Sequence, residues 1–370
     1  MWELISGTEA IALGRDPANA PATLVTEAIY EIEPVGATGG NVVWTWRSTD
    51  HLVQNFDPLL PNFGNPSDFP ERIDINFPGG ADPDWLHMNA IDYNAELDQV
   101  MVGTTNFDEF WVISRAPADN GKIVYRWGNP AAYGRGTPAD QILEGQHHPH
   151  WIPPGLPGAG NILVFNNGTE RGFSSIDEIV PPVNPDGTYN LAAGQPYGPA
   201  SEIQICAAID GLPFFSPVLS SVQRLPNGNH FICVGFEGDL VEVEADCTSN
   251  FNFDMGHIAF RAERIGAQDP RLEGLLWFAD PEFTRGDANG DGTFDLADPI
   301  RTLDYLFSAA SVTCLLALDA NDDEMIDLAD GISQLNSLFQ GAGPLPDPFG
   351  TCGVDPTAGA LTCDAFTACP

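Results

Sequence analysis

The sequence predicts a mainly β fold, an incomplete β-propeller with about four visible blades, followed by a small α-helical module. Three observations predict it. Strand-like runs recur through residues 1–280 with a period of roughly 45–70 residues. Gly (38) and Pro (32) are abundant, as many tight turns between short strands require. Near residue 281 the alternation of strands gives way to helical spacing of apolar residues.

The elements follow in order. Runs at 28–32 and 41–46 form one copy of the repeat that lacks its opening strand. Runs at 98–102, 109–113 and 122–127 form a fuller copy. A third lies at 161–165, 175–180 and 202–205, and a fourth at 229–234 and 239–243. Valine, isoleucine and aromatics dominate each run, and Gly, Asn, Asp or Pro bound it. An ordinary β-sandwich is the rival arrangement of such strands. A closed ring hides its strand edges, so a first copy without its opening strand reads as a propeller truncated at its N-terminus. Segments 49–84 and 184–200 are long, Pro- and Asn-rich excursions of the kind that often carry function. The expected domains are therefore a propeller at 1–280, a calcium-binding module at 281–345 and a Cys-rich tail at 346–370.

Composition narrows the function. With 14 basic and 52 acidic residues the formal charge is −38, which repels nucleic acid and anionic membranes and favours cations. No apolar run is long enough to span a bilayer. The start, Met-Trp-Glu-Leu, lacks the basic and apolar regions of a secretory leader. The seven cysteines show no metal-ligand spacing, which favours disulfides and an oxidising compartment. The expected location is secreted, periplasmic or cell-surface, with the leader lost alongside upstream blades. Cys314, Cys352, Cys363 and Cys369 are expected to form two disulfides whose pairing is not readable. Cys206, Cys233 and Cys247 are expected to be buried thiols.

Two acidic loops carry metal-ligand spacing. Asp287, Asn289, Asp291, Thr293 (through its carbonyl), Asp295 and Asp298 occupy positions 1, 3, 5, 7, 9 and 12 of an EF-hand-like loop, with Gly292 at the sharp turn. The pattern recurs 32 residues on, as Asp319, Asn321, Asp323, Met325 (carbonyl), Asp327 and Asp330, with Glu324 where glycine is expected. Oxygen donors at these offsets converge on one hard cation, expected to be structural calcium. Leu296, Ile300, Leu303 and Phe307 share one helical face after the first loop. Leu328, Ile332, Leu335 and Phe339 do so after the second. This duplicated loop-and-helix unit resembles a dockerin module. The resemblance implies a cohesin-bearing protein as partner and a tethering role.

The chemistry concentrates at 145–153, Gly-Gln-His-His-Pro-His-Trp-Ile-Pro, which holds three of the seven histidines. It runs into a strand-like segment, as does Asp84-Trp85-Leu86-His87-Met88-Asn89. Equivalent points in successive blades face one axial mouth, so His87, Asn89 and His147 are expected to converge. His148, His150, His230 and His257 read as structural or surface residues.

These stretches, DWLHMNAIDYNAELDQ (84–99), YRWGNPAAYG (125–134), GQHHPHWIPPGLPGAGNILVFNNG (145–168) and QRLPNGN (223–229), are similar to those of the arylsulfate sulfotransferases, over roughly residues 1–260. The resemblance implies a six-bladed propeller. It also implies ping-pong transfer of a sulfuryl group from a phenolic sulfate donor to a phenol acceptor, without a nucleotide sulfate donor. It makes His147 the nucleophile that forms a sulfohistidine. His87 and Asn89 become the polar groups around the transferring sulfuryl, with His87 also serving the phenol oxygen as acid or base. Gln146, His51 and Arg224 are the expected substrate-side residues. Two departures matter: the family carries an arginine where this chain has Thr105 and its neighbours, and it carries an earlier His-containing blade entry, expected upstream of residue 1. A non-catalytic propeller for binding or display in an extracellular assembly, and hydrolysis with water as acceptor, are the rival functions.

Overall fold

The structure is a computed structural model. It describes every residue except 37, 267–271, 273–280, 309, 358–360, 364, 365, 367 and 370. The chain divides into two compact units, Met1–Arg264 and Ile265–Pro370. The expected boundary at 280 falls at the edge of residues 273–280, outside the described residues.

The first unit is mainly β. Strands β1 (Trp2–Ser6), β2 (Thr23–Val35) and β3 (Gly39–Arg47) form a three-stranded antiparallel sheet, with helix α1 (Gly7–Ala12) between β1 and β2. The excursion after β3 is largely turns and carries a short parallel pair, β4 (Leu52–Val53) and β5 (Ile73–Asp74). Three four-stranded antiparallel meanders follow. The first is β6 (Met88–Asn94), β7 (Gln99–Thr104), β8 (Glu109–Ser114) and β9 (Ile123–Trp127). The second is β10 (His147–Trp151), β11 (Ile162–Asn166), β12 (Ser175–Ile179) and β13 (Ile203–Cys206). The third is β14 (Ser221–Arg224), β15 (His230–Val234), β16 (Asp239–Val243) and β17 (Ser249–Asp254).

The middle strands explain how these sheets stack. Every residue of β7, β8, β11 and β15 is buried, so both faces of their sheets are covered. Side chains alternate between faces along a strand. Val100 and Val102 of β7, with Trp111 and Ile113 of β8, join a core shared with Leu24 and Trp46 of the first sheet. Their neighbours Met101, Phe110 and Val112 join a second core with Ile162 and Val164 of β11. Leu163 and Phe165, from the other face of β11, join a third core with Ile232 and Val234 of β15. Successive sheets therefore pack on one another in chain order, each interlayer filled by alternate residues.

Two findings depart from the sequence reading. The stretches at 84–93 and 145–153 do not merely lead into the first strand of a sheet; they supply it, as β6 and β10. Their pattern hides this, because each is bulged. Met88 pairs with Thr104 and Ala90 with Gly103, leaving Asn89 extra; His147 pairs with Phe165 and His150 with Leu163. The second finding is a correction. Cys206 and Cys247 are not buried thiols but a disulfide, because the end of β13 and the turn after β16 bring their Cα atoms within 5.9 Å. Cys233 remains a buried thiol.

The second unit holds α2 (Ala297–Ser308) and α3 (Leu328–Phe339), each entered from an acidic loop. The helices meet through a buried polar contact, Thr302 Oγ1 with Gln334 Oε1 at 3.0 Å. Disulfide Cys314–Cys363 ties the tail to the rest of this unit, and Cys352–Cys369 closes a loop within the tail. Among the described residues, no helix is long and apolar enough to cross a membrane.

Candidate functional site

A cavity of about 840 Å³ opens in the first unit, with His147 and His87 in its wall. His147 begins β10 and is buried. Its Nδ1 lies 2.9 Å from Asn167 Oδ1 and 3.0 Å from the Gly145 carbonyl. The amide of Asn167 faces the carbonyls of Ser216 (2.8 Å) and Leu219 (3.1 Å), which fixes its orientation. Both neighbours of Nδ1 are therefore acceptors, so Nδ1 carries the proton and Nε2 keeps its lone pair. Burial holds the ring neutral, pushing its pKa down to about 4. In this structure Nε2 accepts the Leu219 backbone N–H at 3.2 Å. That N–H is presented by a strained turn, with Leu219 at φ 62° and Ser220 at φ 90°. Attack by Nε2 requires this bond to be released.

His87 precedes β6 in a left-handed conformation, φ 50°. Its Nδ1 donates to Asp84 Oδ2 at 2.6 Å, leaving Nε2 as its free ring nitrogen. Asn89 sits at the bulge and turns away from this cavity. Its Nδ2 donates to the Gln146 carbonyl at 2.7 Å and to Thr105 Oγ1. It therefore holds the backbone one residue before His147. Gly103 permits this packing, because a Cβ there would stand 2.7 Å from Asn89 Oδ1 and 3.0 Å from Pro149. Gln146 is fully buried and donates to the Glu109 carbonyl at 2.6 Å, so it anchors β10 to β8.

Two other expected substrate-side residues lie elsewhere. His51 stacks on Trp46, with ring centroids 5.2 Å apart, at a separate cavity of about 380 Å³. Arg224 is buried between Glu178 Oε2 (2.7 Å), His230 Nε2 (3.0 Å) and the Pro157 carbonyl (2.7 Å). Among the described residues of the cavity wall, the remaining base is Arg15, and it is heavily committed. Its guanidinium donates to the carbonyls of Asn19, Ile75 and Gly80. Asp82, Asp84, Asp108, Glu144 and Glu170 share the wall. Burial pushes Asp108 up to about 6, which removes part of that negative charge near neutrality. Sequence reasoning did not single out Asn167, Asp84 or Arg15. The available signal for Asn167 was the Asn-Asn-Gly turn that ends a wholly apolar strand.

The two acidic loops of the second unit share most of their hydrogen bonds. Asp287 accepts the backbone N–H of Asp291 (3.1 Å) and Gly292 (2.8 Å), and Asp298 accepts that of Asp295 (2.7 Å). Asp319 accepts those of Asp323 (3.2 Å) and Glu324 (3.0 Å), and Asp330 that of Asp327 (2.8 Å). Glu324 takes the left-handed turn (φ 65°) that Gly292 takes in the first loop (φ 85°). Asn289 and Asn321 each donate to the aspartate two residues on. Burial pushes Asp298 and Asp330 up to about 6. An all-oxygen donor set with buried, mutually repelling carboxylates fits a hard cation such as calcium. The second loop also differs in its charged surroundings. The Arg285 guanidinium lies 3.8 Å from Asp319 and 2.8 Å from Asp322, so a fixed positive charge stands beside it.

Residues 15–264 match the family model described as Arylsulfotransferase (ASST). No curated protein matches the chain. Among solved structures, a protein of unknown function from Bacteroides caccae is similar at 12% identity with a TM-score of 0.30. The match covers 49% of this chain and 50% of that one.

Proposed function

This chain belongs to the arylsulfotransferase (ASST) family, and from that premise we propose that it transfers a sulfuryl group from a phenolic sulfate ester to a phenol through a sulfohistidine at His147. The observation that carries the reading is the His147–Asn167 hydrogen bond. That bond favours the proton on Nδ1 of a neutral ring in the cavity wall, so Nε2, once it gives up the Leu219 N–H, is the nucleophilic nitrogen. In the first half-reaction Nε2 attacks sulfur, the S–O bond to the aryl oxygen breaks, and His87, entering the step as an imidazolium with its Nδ1–H held by Asp84, gives its Nε2 proton to the departing phenolate and is left neutral. In the second, the acceptor phenol gives its proton to His87 and attacks sulfur. The S–N bond then breaks and its electron pair returns to Nε2. His87 stands in the same wall for this role, and Asp84 fixes its ring. Asn89 and Gln146 act one step back, by holding the His147 backbone.

The stacked meanders support a propeller, with β6, β10 and β14 as the first strands of successive blades. The second unit supports a calcium-dependent, dockerin-like tether. Ile300, Phe307, Ile332 and Phe339 are exposed on its two helices, at positions related by the same 32-residue offset as the loops. Such paired apolar faces suit a cohesin-type partner. Three disulfides are compatible with a secreted protein.

One observation favours a second reading, a non-catalytic propeller for binding or display. The cavity wall carries five carboxylates, and by the family resemblance Thr105 or a neighbour replaces an arginine, so an incoming sulfate ester meets little positive charge. The deciding experiment uses a chromogenic aryl sulfate with and without phenol. Phenol-stimulated release, lost in His147→Ala, is the expected result, together with a trapped sulfuryl adduct on His147. Release indifferent to phenol indicates hydrolysis. No release from the folded protein favours the binding reading.

A further inference from the structure

Glu27 of β2 is a buried carboxyl with no role in the transfer just described. Its Oε1 accepts the Met88 backbone N–H at 2.7 Å, at the residue after His87. Its Oε2 is buried and has no hydrogen-bond partner among the described residues. Asp84, on the other side of the same turn, is in the converse position: Oδ2 holds His87 Nδ1, while Oδ1 is buried and has no hydrogen-bond partner among the described residues. Asp84 lies before β6, at an isolated bridge to β2. Val25 bridges in parallel to Asp84, and its N–H donates to the Pro83 carbonyl at 2.7 Å. An orphaned buried carboxylate oxygen is costly, and two on adjacent acids are doubly so.

We propose that Glu27 and Asp84 share one proton, Glu27 donating it through Oε2 to Asp84 Oδ1, and that this pair positions His87 and sets how readily it gives up its proton. A single proton turns one orphaned acceptor into a donor for the other. It also relieves the repulsion between two anions that flank one imidazole. With that proton present Asp84 holds His87 less tightly as an imidazolium, so Nε2–H passes more easily to a departing phenolate. With it lost, a second negative charge stabilises the imidazolium and retains the proton. Burial, then the neighbouring Asp84, push the Glu27 carboxyl up to about 7. The other charged groups facing Glu27 are His87, the amino group of Met1 and, in the same 640 Å³ cavity, Arg261. Glu27 is thus a positioning residue that acts through His87.

This inference rests on the assignment of His87 as acid–base, so its test has a readout independent of turnover. Nitrogen chemical shifts of labelled histidine, followed against pH in the full chain, report His87 directly. The expected result is a His87 titration in two steps in the native protein. In Glu27→Gln one step is lost, because the amide donates to Asp84 permanently. In turnover assays Glu27→Gln is expected to stay within about threefold of native at low pH and to lose the high-pH decline, while Glu27→Ala falls on the order of tenfold or more at every pH. A single-step His87 titration unchanged by Glu27→Gln overturns the inference, as does a pH profile that keeps its high-pH decline in that variant. If no turnover is found in any form, a two-step titration collapsed by Glu27→Gln still upholds the carboxyl pair. The failure then belongs to the proposed transfer. Should Glu27→Gln misfold, Asp84→Asn tests the same pair, and an unaltered two-step His87 titration there overturns it.

Discussion

Asn167 and His147 are joined at 2.9 Å, and Leu219 closes the arrangement into a ring. The Leu219 carbonyl accepts from the Asn167 amide at 3.1 Å, and its N–H donates to His147 Nε2 at 3.2 Å. One asparagine thus orients the imidazole through one nitrogen and the backbone that covers its other nitrogen. Replacing it with leucine keeps the volume and removes the ring of bonds. Asn167→Leu is expected to lower kcat on the order of 10–100-fold, the scale for losing a partner that orients an imidazole. KM should change little, and a circular-dichroism melt should show a folded protein. An unchanged kcat in a folded variant sinks the orienting role.

The same burial gives His147 a signature in stability. Its folded pKa, about 4, lies below the ordinary histidine value of 6.5. Above pH 6.5 the ring is neutral folded or unfolded, and the site is fully compatible with folding. As the pH falls towards 4 the unfolded chain takes up a proton that the folded one refuses. Stability is therefore lost across that window, at up to about 1.4 kcal/mol per pH unit for one group. His147→Gln, which cannot titrate, is expected to lose less stability than native between pH 6.5 and 4.5 in urea titrations. Parallel losses in the two proteins rule out His147 as a contributor.

The legible parts of the molecule were those written locally. The loop at 287–298 is set by ligand offsets within twelve residues, and its hydrogen bonds follow those offsets directly. Strand β8 was legible because Phe110, Trp111, Val112 and Ile113 fill both faces of a covered sheet. Strand β10 was not recognised as a strand. His-His-Pro-His-Trp has no alternation, and a bulge between His147 and His150 breaks the period that would reveal it. The Cys206–Cys247 disulfide was missed because strand propensity says nothing about which ends meet across a sheet. The surroundings of Arg224 were equally invisible, since Glu178 lies 46 residues away in another sheet.

Arg285 gives the two acidic loops different electrostatics despite the hydrogen bonds they share. Its charge, paired with Asp322 and Asp355 and 3.8 Å from Asp319, stands beside the second loop. Calcium affinity depends on ligand charge, so two sites of unequal strength are expected, the 287–298 loop binding more tightly. Calorimetric titration of the full chain should resolve two calcium ions. Asp298→Ala should abolish the tighter site and Asp330→Ala the weaker. Calcium at about a hundredfold over its dissociation constant should stabilise the second unit by about 2.7 kcal/mol, visible as a rise in its melting temperature and reversed by a chelator. Equal affinities would remove Arg285 from the argument. A melt and a calorimetric trace both indifferent to calcium would leave these loops without a metal role.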